Sequence, residues 1–191
     1  MMRRIVVAGV MAAMALGARA QMDSMKTTGA GTMVEPSKSV DEVLTSFEGE
    51  FMSAAKAMPA DKYDFSPASL NIPGAKFEGV RTFGQEVTHV AQANYSIYAG
   101  LQGVKPDVDV KAIGNLKTKD EIVAAAAASF AYAHKAIATL TMANANVAVR
   151  AGRSDTKETL GIYGAVHGFD HYGQMVEYLR MNGIVPPASA K

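Results

Sequence analysis

Residues 118–144 read TKDEIVAAAAASFAYAHKAIATLTMAN. Thr118 and Glu121 have the spacing of a capping box, in which a hydroxyl and a carboxylate each satisfy a backbone N–H at a helix start. Ile122, Ala126, Phe130, Ala133, Ile137 and Leu140 then recur at helical spacing and make one apolar stripe. The run Ala124–Ala128 is the strongest helix former repeated, not low-complexity disorder. The stretch predicts a long helix to about Asn144.

The same grammar repeats on either side. Upstream, Thr82-Phe83-Gly84-Gln85 has the form of a second capping box, and its helix should end near Gly100 to Gly103. Earlier still, Val40, Val43, Leu44, Phe47, Phe51 and Ala54 predict a helix from about Ser39 to Met58, stopped by Pro59. A long aromatic-containing loop, Asp61 to Gly74, separates these two and is expected to pack on something or cover a site. Downstream, a fourth helix should start near Asp155 or Thr156 and stop at Asn182-Gly183, since Pro186-Pro187 forbids continuation. No stretch alternates with period two or carries a hairpin signal. The expected fold is all-α, an antiparallel four-helix bundle, with the Gly103–Lys117 connection crossing one end.

The N-terminus reads as a separate object. Arg3 and Arg4, an apolar stretch from Ile5 to Ala15, and Ala18-Arg19-Ala20 before Gln21 have the layout of a bacterial secretory signal peptide. The apolar core is too short to remain as a membrane anchor. Residues 1–20 are therefore expected to be removed, 21–37 to form a flexible linker, and 38–187 to form the folded domain. Cleavage takes away three arginines and no acid, so 19 basic residues become 16 against 18 acidic ones and the charge moves from +1 to about −2. That balance offers no footing for nucleic acid. A periplasmic or secreted address is expected, with no stable membrane anchor after cleavage. The chain has no cysteine, which excludes disulfides, thiolate nucleophiles and thiolate metal ligands.

Chemistry has to come from elsewhere, and the four histidines draw attention: His89, His134, His167 and His171. His167 and His171 stand at i and i+4, which stacks them on one helix face. On a wheel of about 100° per residue they share a sector with Leu160, Tyr163, Gln174, Tyr178 and Met181, an apolar and aromatic stripe rather than a charged face. Two readings remain open there, a pair of metal ligands or a hydrogen-bonded pair on a half-buried face. Burial favours the metal, because each ring carries donors and acceptors to satisfy, and Gln174 or Asp170 could complete a second shell. His89 lies about 120° from its helix's strongest apolar stripe, among Thr82, Gln85, Glu86, Ala93, Ser96 and Gly100. That face could be solvated surface or the wall of a polar cavity. His134 borders its own apolar stripe and is expected to lie elsewhere.

Three segments in order resemble the DinB superfamily of metal-binding helical bundles. Arg81-Thr82-Phe83-Gly84-Gln85-Glu86-Val87-Thr88-His89 is similar to the segment ending in that family's first metal histidine. His167-x-x-x-His171-x-Gly173-Gln174 is similar to its element on the last helix, and Pro59 to Phe65 resembles the connection after the first helix. Tyr172 departs from the arginine common in relatives, and Asp170 stands where a further histidine is common. The resemblance implies a metal site of His89, His167 and His171, and often a homodimer.

Three imidazoles with an open position suit a divalent ion, Zn²⁺ or Ni²⁺ above others. Such a site can activate water for hydrolysis of a small-molecule ester, amide or similar bond. The expected function is an exported metal-dependent hydrolase. The alternatives are a thiol-dependent transferase, as the resemblance implies for some relatives, or a metal- or ligand-binding protein without catalysis. Glu86 and Asp64 are both candidates for a general base, with neither standing out. No residue pattern names the substrate.

Overall fold

Thr82, Thr118 and Thr156 each open a long helix by the same device. In each case the threonine side chain accepts from the backbone N–H three residues on, and that residue's side chain returns a bond to the threonine N–H. A computed structural model describes residues 29–150 and 155–190, and the predicted signal peptide lies outside the described residues. The chain divides into two units, Met1–Val34 and Glu35–Lys191. In the first, a turn is closed by Thr32 N–H donating to Gly29 O. Among its described residues the second contains five α-helices: α1 (Pro36–Ala57), α2 (Phe83–Gln102), α3 (Val110–Ile113), α4 (Lys119–Ile137) and α5 (Lys157–Met181). Among the described residues there is no strand, and one isolated bridge joins Ala148 to Thr156. The protein is all-α.

Helix ends follow local chemistry. α1 begins three residues before the expected Ser39, because Pro36 suits a first turn where its missing N–H costs nothing. α2 stops at Gly103, whose φ of 72° closes the helix in the left-handed region. α4 stops at Ile137, not near Asn144. The Asn144 side chain accepts from Thr141 N–H and donates to Thr139 O, an alternative to helical bonding that turns the backbone. Leu140 is still buried, so the apolar period runs on past the helix that it seemed to describe.

Four long helices share one core, built on Leu44, Phe47, Phe51, Val87, Phe130, Ile137 and Leu179. Phe47, Phe51 and Phe130 form an aromatic cluster with centroids 5.4–5.7 Å apart. Helix directions can be read from contacts. Lys119, at the start of α4, donates to Lys56 O and Met58 O at the end of α1, so α1 and α4 are antiparallel. Tyr178 OH donates to Arg81 O and Tyr98 OH to Gly161 O, so α2 and α5 are antiparallel as well. By contrast α2 and α4 run parallel, with Gly84 beside Ile122 near their starts and Tyr95 beside Tyr132 further along. α1 and α5 are parallel too, with Val40 beside Gly161 and Phe47 beside Gly168. The order is up, down, down, up rather than antiparallel throughout.

The α2–α4 connection makes this possible. Returning alongside a helix of 20 residues means covering about 30 Å. Residues 103–118 do so beside the helices instead of crossing one end, with α3 held midway by Gln92 Nε2 donating to Val110 O.

α5 packs closely because one side of it is glycine. A Cβ on Gly161, Gly164 or Gly168 would lie 2.8 Å from Val40, 2.4 Å from Tyr98 and 2.1 Å from Phe47 respectively. These approaches press α5 against both α1 and α2. His167 and His171 are carried on the same helix.

Candidate metal centre

His89 lies two turns into α2, and His167 and His171 lie near the middle of α5. Because these helices are antiparallel neighbours, all three rings meet at one level. Ring centroids are 4.6 Å apart for His89 and His171, 4.7 Å for His167 and His171, and 5.2 Å for His89 and His167. One nitrogen from each ring can be chosen so that all three lie within 4.8 Å of one another. Three nitrogens at about 2.1 Å from one ion lie roughly 3–4 Å apart, which falls within that bound.

The surroundings of the site disfavour protonation of two of the rings. Burial, the Arg81 cation and the facing His171 and His167 rings hold the His89 pKa down at about 4. Burial and the neighbouring His171 also lower that of His167. Neutral imidazole is the form that ligates a metal.

His171 is the most enclosed of the three, 6% exposed. Its Nδ1 lies 2.6 Å from Oε2 of Glu86, itself 1% exposed. A carboxylate that accepts from Nδ1–H of a neutral imidazole leaves the Nε2 lone pair for a ligand. Carboxylate behind histidine is the usual support of a metal-bound imidazole. Three nitrogen donors, two with depressed pKa values and one backed by a buried acid, fit a divalent ion.

The family resemblance implied His89, His167 and His171 as one set, and the structure brings the three together, whereas the helical wheel left the surroundings of His89 open between solvent and a polar cavity wall. His89 is half-buried, not solvated, because α2 is buried on two sides. The strong stripe of Phe83, Val87, Val90 and Leu101 marks one side, while the polar face with Glu86 and His89 lies against α5. Of the two residues expected to support the histidines, Asp170 acts on His167 through its charge, and Gln174 bonds within its own helix. Asp170 is exposed, and Gln174 Nε2 donates to Asp170 O. The acid hydrogen-bonded to a ring of the set is Glu86. Its i, i+3 spacing from His89 was the available signal, and a polar residue on a face that proves buried should have a partner. Glu86, a general-base candidate, is 1% exposed and has its Oε2 engaged by His171. Asp64 is exposed and lines a separate groove with Tyr63, Thr82, Gln85 and Thr88. Tyr172 is half-buried and interacts with Glu50 of α1. His134 is apart from the centre, bridging Asp41 and Glu48 at 2.5 Å and 2.9 Å.

Fold and site together define a helical protein with a three-histidine, metal-compatible centre. The chain belongs to the DinB superfamily, whose family model matches residues 44–175. The matched span runs from α1 into α5 and includes all three histidines. No curated protein matches the sequence.

Proposed function

We propose that this is a divalent-metal-dependent hydrolase, a four-helix-bundle enzyme exported by a cleavable signal peptide. The observation that carries the reading is the convergence of His89, His167 and His171 from two helices, with a buried acid behind one of them. These residues would hold Zn²⁺ or Ni²⁺, which when bound supplies Lewis acidity and lowers the pKa of water toward neutrality. The chain's contribution is to hold the His89 and His167 pKa values down and to engage Nδ1 of His171 with Glu86. Half-exposed His89 and His167 leave a side of the centre reachable by a small molecule, and the Tyr163 ring beside His167, with centroids 6.0 Å apart, provides an apolar wall there.

Export favours hydrolysis over thiol transfer, because a cytosolic thiol co-substrate is harder to supply outside the cytoplasm. A second reading, metal binding without catalysis, is favoured by the engagement of Glu86 with His171, which removes the nearest acid from proton transfer. The test is metal analysis of the purified mature protein, followed by ester, amide and thiol-transfer screens with and without chelator. Chelator-sensitive hydrolysis supports the proposal. Full activity after exhaustive chelation contradicts it, and tight metal binding with no turnover in any screen selects the binding reading. A mature N-terminus at Gln21 supports export, and a retained Met1 contradicts it. Self-association is proposed as well, supported by exposed Ile162, Val166 and Phe169 along α5. A monomeric mass in light scattering contradicts it.

A further inference from the structure

Glu86 is the buried acid among the described residues, 1% exposed. A carboxylate taken out of water is strongly disfavoured unless it is paired and hydrogen-bonded. Its Oε2 meets a ring nitrogen of His171, whose side chain is only 7% exposed. The two groups come from different helices, 85 residues apart in sequence. Glu86 also stands three residues before His89, so one stretch of α2 presents a ligand and the support for a second ligand on α5.

We propose that Glu86 is a positioning residue: by accepting from Nδ1–H it fixes the tautomer and orientation of His171 that present Nε2, and thereby sets how tightly the centre holds a divalent cation. The proposal rests on the metal reading above and deepens it. Two features make the acid effective. It is enclosed, so its hydrogen bond is not exchanged with water. Its partner is the most buried of the three ligands, so little water reaches His171 to replace the carboxylate as hydrogen-bond partner. Supporting contacts of this type commonly change metal affinity by about 10–100-fold.

The test compares wild type with Glu86→Ala and Glu86→Gln. Zn²⁺ and Co²⁺ affinities are measured by competition with a chromophoric chelator, and the fold of the metal-free chains by circular dichroism. Glu86→Ala should weaken binding about 10–100-fold with helix content retained. Glu86→Gln, whose amide oxygen still accepts but carries no charge, should fall between. In metal-free wild type, nitrogen NMR of the imidazoles should show His171 protonated at Nδ1 and not at Nε2, a measurement that needs no variant to fold. Equal affinity in wild type and Glu86→Ala, or His171 protonated at Nε2, overturns the proposal and leaves the metal reading intact. A wild-type chain that binds neither ion overturns both.

Discussion

Gly168 sits where a methyl group would land on the Phe47 ring, with a Cβ 2.1 Å from the nearest ring carbon. Phe47 is fully buried among Phe51, Phe130 and Phe169, so it has no room to retreat. Replacing Gly168 by Ala should raise intrinsic helix propensity by about 1 kcal/mol yet still destabilise the protein, since overpacking costs about 1–3 kcal/mol. Urea unfolding of the metal-free chain measures the balance, and a stabilised variant would contradict this packing. Sequence gave part of this. A glycine at 168 is read directly from the chain, but the ring that lies against it is not. His89 shows the complementary limit. A helical wheel marks the most apolar face and is silent on a second face that meets another helix through polar side chains.

At the scale of elements, α1 and α4 are fastened by an acid–histidine–acid clasp, Asp41–His134–Glu48. Burial lowers the His134 pKa, but hydrogen bonds to both carboxylates outweigh it, and the net shift is upward. A group whose folded pKa lies above its unfolded value of about 6.5 stabilises fully below that pH, and the contribution fades as pH rises through the folded pKa. The groups are 30–44% exposed, so screening should keep the effect below about 1 kcal/mol. The stability difference between wild type and His134→Gln should therefore be larger at pH 6 than at pH 8.5, by chemical denaturation in metal-free protein. A difference independent of pH, or larger at pH 8.5, contradicts the clasp. Helix starts were legible because caps are local chemistry, as at Thr82 and Thr118. The end of α4 was not, because Leu140 keeps the apolar period while the backbone has already turned around Asn144.

For the whole molecule, the helical class and the four long segments were legible, and the helix directions were not. Direction depends on whether a connection returns along the bundle, and nothing in Gly103–Lys117 announces that α3 will be tethered beside α2 by Gln92. The arrangement also bears on stability. The core packs without help from the histidines, and a domain of this size buries enough to fold on its own. Exhaustive chelation should thus leave the helical circular dichroism spectrum essentially unchanged, and a chain that unfolds on metal removal would contradict this. The central claim is that His89, on one helix, completes a centre with His167 and His171 on another. Its most direct test is metal stoichiometry after reconstitution with Zn²⁺ and removal of excess ion, in wild type and in His89→Ala. The account predicts one ion per wild-type chain and loss of stoichiometric metal in the folded variant. A folded His89→Ala chain that keeps one tightly bound ion would contradict it.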